Sequence, residues 1–233
     1  MSQPGSLPLY QQISELLIRD VSAGRLIDGE KLPPEREMAQ ELGIAVGTLR
    51  AALKELAARG MLVRVQGSGN YIRAKADPES VYALFRLELA TGGGLPTAKV
   101  LSVDRLPKDP ALPDFGPSAE GHRIRRLRSL SGQVAAVEEI WLDGDYVPAI
   151  AVSDLSESLY LYYRTRLGLW IARAEDRVSQ GAVPDWAPAA FRPAVGTPVP
   201  RITRVSWAQD GARAEASWTW YDPEKVHYVS RLK

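Results

Sequence analysis

The sequence predicts an α+β protein in two modules, and three observations predict it. Apolar residues recur at helical spacing as far as Arg59 and switch to strand-like alternation after Gly60. Further on, alternating runs flank the turn dipeptides Ser131-Gly132 and Asp210-Gly211, the mark of antiparallel hairpins. The length, 233 residues, suits one large domain or two small ones.

In the first module, Leu9, Ile13, Leu16, Leu17 and Val21 share a helical face, Pro8 sits where a first turn tolerates it, and Gly24 stops the helix. Gly29 and Pro33-Pro34 keep the connection irregular. A short helix over Glu35–Leu42 opens with acidic residues, which suit the positive end of a helix dipole. Gly43 supplies the positive φ of a tight turn. A third helix spans Val46–Arg59 with the apolar stripe Leu49, Ala52, Leu53 and Leu56. Gly47, Ala51 and Lys54 point away from that stripe, and Arg50 lies on its flank. Residues 61–73 read as a hairpin. Its tip, Gly67-Ser68-Gly69, lacks the Gly-Lys-Ser/Thr ending and the following helix of a phosphate loop. Helix, helix, glycine turn, helix and hairpin make a winged helix-turn-helix over residues 1–75. Its third helix suits the major groove of double-stranded DNA, and Arg64 and Arg73 are placed for phosphates.

Residues 76–80 are a short polar linker, and 81–233 form the second domain. A helix is expected over Val81–Leu89, closed by Thr91 and the glycines that follow it. LPTAKVLSVDRL, HRIRRLRSL, QVAAVEEIWL, VPRITRVSWAQ, ARAEASWTWY and VHYVSRL read as strands of a mainly antiparallel sheet. Asp154 or Ser158 starts a helix that ends at Gly168, and another is expected near Asp185–Phe191.

Composition narrows the function. There is no Cys, which excludes a disulfide scaffold, a thiolate zinc site and a cysteine nucleophile. His122 and His227 are the only histidines, too few for a His-based metal cage, and neither cofactor nor metal is expected. No signal peptide and no membrane-length apolar run is visible, so the expectation is a cytoplasmic protein with no membrane partner. The net charge of +1 hides a gradient. Residues 1–49 hold four basic against seven acidic side chains, a net of −3, whereas 50–75 hold six against one, a net of +5. Such a patch is either a phosphate footprint or a solvated charged face.

The second domain holds a polar constellation. Arg126 and Arg128 share a strand face, Glu138 lies on the next strand of the same hairpin, and Glu215 and Tyr221 share a face of a later one. Ser158 sits near a helix start, where backbone N–H groups favour an anion. The set suits a small polar anion: guanidiniums hold phosphate or carboxylate, and carboxylates take hydroxyls or an ammonium. From strand parity alone, cross-strand Arg–Glu pairing on a solvated sheet is the plainer reading.

LPPEREMAQELGIAVGTLRAALKELAARGMLVRVQGSGNYI resembles the DNA-binding domain of GntR-type bacterial regulators, whose pattern is Leu-Pro-Ser-Glu-Arg-x-Leu-Ala, then x-Leu-Gly-Val-Ser-Arg-x-Thr-Val-Arg, then a Gly-rich wing. The resemblance implies DNA contacts from Arg36, Val46, Gly47, Thr48, Arg50, Lys54 and the wing tip Gly67, Ser68 and Gly69. Pro34, Ala45 and Val46 depart from the pattern, and Ala45 removes a helix cap worth about 1 kcal/mol. RIRRLRSLSGQVAAVEEIWL, SESLYLYYRTRLGL, IARAEDRV and GTPVPRITRVSWAQDG resemble the UTRA effector-binding domain of the HutC subfamily, a chorismate lyase-like fold. That resemblance implies an effector site formed by Arg126, Arg128, Glu138, Ser158, Glu215 and Tyr221, and dimerisation through the same domain.

The expected function is a homodimeric, sequence-specific transcription regulator, a repressor, that binds operator DNA and a small anionic effector (a sugar phosphate or a carboxylate). One alternative is an enzyme using Glu138 and Glu215 as an acid–base pair, although no nucleophile–base spacing supports it. Another is a regulator that takes no effector.

Overall fold

A computed structural model describes residues 7–74, 80–155 and 157–231. Apart from Ser80, the expected linker lies outside the described residues. The chain divides into two compact units, Leu7–Arg86 with the residues after His227, and Leu87–His227.

The first unit is the expected winged helix-turn-helix. Helix α1 (Leu9–Ser22), α2 (Glu35–Glu41) and α3 (Val46–Ala58) precede a hairpin of β1 (Leu62–Val65) and β2 (Gly69–Ile72). The stripe read from the sequence is the core: Leu49, Ala52, Leu53 and Leu56 of α3 are buried, as are Ile13, Leu16, Leu17 and Val21 of α1. Each such Leu, Ile or Val side chain contributes about 1.5–3 kcal/mol of transfer free energy on burial. Leu9 departs from this pattern and is exposed in the first turn. Gly43 takes φ +65, a left-handed conformation that lets α2 turn into α3 without a Cβ clash. Ala45, the residue before α3, offers no side-chain cap. The wing gains a third edge from the segment before α2. Leu32 N–H donates to Asn70 O at 2.9 Å, and Gly29 N–H donates to Ile72 O at 2.9 Å.

Glu15 of α1 gathers two further pieces of this unit. Its Oε1 accepts from Arg59 Nη2 at 3.1 Å, just past α3, and its Oε2 accepts from the Val81 N–H at 3.0 Å. The helix expected over Val81–Leu89 does not form. Residues 81–84 make a turn, and Leu87–Leu89 is a strand, β3. Glu15 takes the amide that opens this stretch, so the backbone there is satisfied by α1 rather than by a helix of its own.

The second unit is a six-stranded sheet of order β4-β5-β6-β9-β8-β7, antiparallel throughout. Its strands are β4 (Pro96–Pro107), β5 (Glu120–Leu130), β6 (Gln133–Asp143), β7 (Ile171–Ala182), β8 (Pro198–Ala208) and β9 (Arg213–Tyr221). Both hairpin dipeptides stand where expected, with Ser131 and Gly132 at φ +45 and +78. The last strand, β10 (Val226–Tyr228), pairs with β3 in a separate two-stranded sheet. Between β6 and β7 lies α4 (Leu159–Tyr162), which runs into a wider π-type turn, Tyr163–Leu167, and stops at left-handed Gly168. One more expectation needs correction, and one strand had no expectation. The helix expected at Asp185–Phe191 is a series of turns, punctuated by Pro184, Pro188 and Pro193. IARAEDRV, not read as a strand, begins β7, a full-length edge of the sheet.

Candidate functional site: a nucleic-acid surface and a buried ion layer

Two constellations stand out, one in each unit. In the first, Arg36, Gly47, Arg50, Lys54, Gly67 and Ser68 are exposed, and Val46, Thr48 and Gly69 are partly exposed. The face of α3 opposite its buried stripe therefore meets solvent, as a groove-entering helix requires. Arg50 is not a free cation. Its Nε donates to Glu35 Oε2 at 2.7 Å while the side chain stays 64 % exposed. The hydrogen bond from Arg50 holds the Glu35 carboxyl below its ordinary range, with help from Asn70 of the wing. Glu35 thus ties α2, α3 and wing residues together electrostatically. At the tip, Ser68 Oγ lies 2.6 Å from the Tyr71 hydroxyl.

In the second unit, strand register brings the predicted residues to one face. Arg126 pairs with Glu138 across β5 and β6, Glu138 with Thr219 across β6 and β9, and Ala136 with Tyr221. All six predicted residues are buried. Arg126 Nη2 and Arg128 Nη2 both reach Glu138 Oε2, at 2.7 and 3.1 Å, and Arg128 Nε reaches its Oε1 at 3.1 Å. Burial alone would push the Glu138 carboxyl up, but the two guanidiniums outweigh it and bring it down to about 2. Arg126 Nη1 and Arg128 Nη1 also approach Glu157 O at 3.5 and 3.4 Å, so the chain just before α4 lies over the arginine pair. Arg126 Nε has no hydrogen-bond partner among the described residues.

Glu215 forms a second cluster on the same face. Tyr163 OH donates to it at 2.8 Å, Ser206 Oγ at 3.0 Å and Tyr160 OH at 3.2 Å. Burial raises its carboxyl above the ordinary range, only partly offset by these hydrogen bonds. Beside it Arg204 holds Asp176 through two bonds of 2.6 and 2.7 Å. Tyr221 is buried at the other end of β9 from Glu215, and burial raises its phenol. Ser158 caps α4 by accepting from the Leu161 N–H at 3.3 Å. The helix-start argument for an anion weakens there, because α4 is only four residues long.

Sequence reading missed Tyr160, Tyr163, Asp176, Arg204 and Ser206. Arg204 and Ser206 stand two apart in VPRITRVSW, the same spacing that singled out Arg126 and Arg128. Asp176 lies on the strand that was not read. Among the described residues no group of three or more His, Cys, Asp or Glu is placed to hold a metal ion. No helix among them is long and apolar enough to cross a membrane.

An exposed helix-turn-helix in one unit and a buried polar layer on an antiparallel sheet in the other define a DNA-binding regulator with an accessory sensing fold. Residues 9–72 match the bacterial regulatory proteins of the gntR family, residues 91–227 match the UTRA domain, and the chain belongs to this family. It is 66 % identical to the HTH-type transcriptional regulator SmoD of Agrobacterium fabrum (strain C58), over 98 % of each chain. It is 25 % identical to the HTH-type transcriptional repressor NagR of Bacillus subtilis, over 100 % of this chain and 99 % of that one. Among solved structures, the possible transcriptional regulator YydK of Bacillus subtilis shares the fold, with a TM-score of 0.53 at 20 % identity, covering 97 % of this chain and 100 % of that one. The protein is a transcription regulator with a DNA-binding and an effector domain; the family and these relatives are regulators, not enzymes.

Proposed function

We propose that this chain is a cytoplasmic, homodimeric repressor whose operator affinity is lowered by a small anionic metabolite, a sugar phosphate or a carboxylate. The observation that carries the reading is the pair of buried guanidiniums, Arg126 and Arg128, that converge on Glu138 from one sheet face. Both guanidiniums sit beneath the Glu157 carbonyl on one buried face, where planar charged donors suit the oxygens of an incoming anion. Arg126 and Arg128 take the anion. Glu138, Ser158, Glu215 and Tyr221 surround the remainder of the molecule. The repressor reading is supported by the name of the Bacillus subtilis relative. Arg36, Val46, Gly47, Thr48, Arg50, Lys54 and the tip Gly67–Gly69 meet the operator, and a two-fold dimer reads two half-sites. Effector and operator oppose each other through a coupling free energy of about 1–3 kcal/mol, which is roughly 5–150-fold in affinity.

A thermal-shift screen over sugar phosphates, carboxylates and amino acids tests the pocket. A true effector at about 100 times its Kd adds roughly 2.7 kcal/mol of stability. Arg128→Ala keeps the Arg126–Glu138 ion pair, so the variant folds, and it loses the ligand-induced shift. A variant that is stabilised as strongly as the parent places the effector elsewhere.

A further inference from the structure

The sheet face turned away from α4 carries a groove that neither constellation uses. Its floor is β5, β6, β9 and β8, because residues one place out of register with Arg126, Glu138 and Thr219 point there. One wall holds Asp109 and Ala111, and the other holds Pro184, Asp185 and Trp186. The cavity measures about 320 Å³, room for one ring-sized molecule.

We propose that this groove is a second small-molecule site, specific for a sugar ring bearing one negative charge. Three features assign the class. First, the ring platform is rigid. Trp186 packs edge-on against Trp220 at 6.0 Å, Trp218 lies 6.1 Å from Trp220, and the Arg125 guanidinium sits 4.8 Å over Trp186. Flat indoles receive the C–H face of a pyranose with little ordering cost. Second, the floor carries one cation, Arg201, that makes no ion pair among the described residues. Arg123 is paired with Asp104 at 2.9 Å and Arg125 with Glu139 at 2.8 Å. The Arg201 Nε also has no acceptor among the described residues. Trp220, 6 % exposed, also has an indole N–H without an acceptor. A ligand with oxygens is what this floor lacks. Third, the Asp109 and Asp185 carboxylates line the groove as acceptors for sugar hydroxyls, which an aromatic ring cannot supply. Gly181 keeps the arrangement open. A Cβ there would stand 2.8 Å from Arg201 Cδ and 3.1 Å from Trp220 Nε1.

The test uses the full-length protein, with tryptophan fluorescence and calorimetry against D-glucuronate and D-galacturonate, and with glucose and benzoate as controls. At least one uronate binds and perturbs tryptophan emission, while glucose and benzoate bind more weakly. Arg201→Met, which keeps the stem and removes the charge, weakens uronate binding about tenfold, equivalent to roughly 1.4 kcal/mol. Trp218→Ala weakens it as well, and Trp218→Phe restores part of the affinity. Arg128→Ala binds the uronate like the parent, which separates this groove from the effector site proposed above. The proposal is overturned if no uronate binds, if benzoate binds best, or if the Arg201 and Trp218 variants bind like the parent. It is also overturned if folded Trp218→Ala sediments as a smaller species than the parent, since the face would then be a contact between copies of the chain.

Discussion

Glu138 faces two guanidiniums, so removing it and removing one of its partners have unequal consequences. Glu138→Ala leaves two buried like charges side by side and costs about 3–5 kcal/mol, read as a lowered urea midpoint. Arg128→Ala leaves a one-to-one pair and costs less, and the reverse ranking would refute the shared-carboxylate account. Protonation tests the same group. With a folded pKa near 2 against an ordinary 4.5, Glu138 contributes stability that is fully present above pH 4.5 and is lost as pH falls toward 2. Glu215 has the opposite sign. Its folded pKa is raised, so its contribution is present below 4.5 and is lost as pH rises through the folded value. Glu215→Gln therefore flattens the decline of stability above pH 4.5 without changing the acid limb, a contrast that unfolding curves across pH resolve. On the DNA side, Arg50 and Glu35 form an exposed pair worth under about 1 kcal/mol to the fold. Arg50→Ala accordingly leaves the melting temperature almost unmoved and lowers operator affinity by about 1–3 kcal/mol. Equal losses of both would make Arg50 a structural residue.

At the scale of elements, legibility followed apolar patterning. Helices α1 to α3, the wing and both long hairpins announced themselves through periodicity and glycine turns, because their buried faces are apolar and their turns need positive φ. Strand β7 was silent for a physical reason. It is an edge strand whose residues are mostly exposed, so ARAEDRVSQ carries no alternation to read. Residues 81–89 look helical locally, but tertiary contacts decide them: Ser80 Oγ donates to Glu15 O at 3.3 Å, and the Val81 amide goes to the Glu15 carboxylate. Parity arguments put Arg126 with Arg128 on one strand face and Glu215 with Tyr221 on another; that these faces and Glu138 coincide is set by strand order and register, which parity alone does not give. The aromatic lid, Tyr160 and Tyr163, needed knowledge of where α4 folds back, which no local pattern supplies. Glu15→Ala removes the carboxylate that joins Arg59 to the Val81 amide. Leaving that amide without its acceptor lowers the stability of the first unit by about 1–3 kcal/mol. Accelerated amide exchange at Val81 and unchanged exchange in β5 and β6 would be the signature, and uniform exchange across both units would count against it.

At the scale of the whole molecule, two kinds of surface serve two kinds of chemistry. The first unit is exposed and basic toward its carboxyl-terminal half, and suits a polyanion that binds through many weak, salt-sensitive contacts. The second buries its charges in a sheet face, where Arg126, Arg128 and Glu138 lie out of water and a change of charge is costly. The proposed regulator needs both, and it needs them coupled, since a ligand that binds both operator-affinity states equally shifts nothing. The most direct test is a fluorescence titration of a selected operator fragment, at fixed salt, with and without a metabolite that stabilises the protein. The account predicts that the metabolite weakens operator binding roughly 5–150-fold and that Arg128→Ala binds the operator normally but ignores the metabolite. Unchanged operator affinity at saturating metabolite, or an undiminished response in Arg128→Ala, would contradict it.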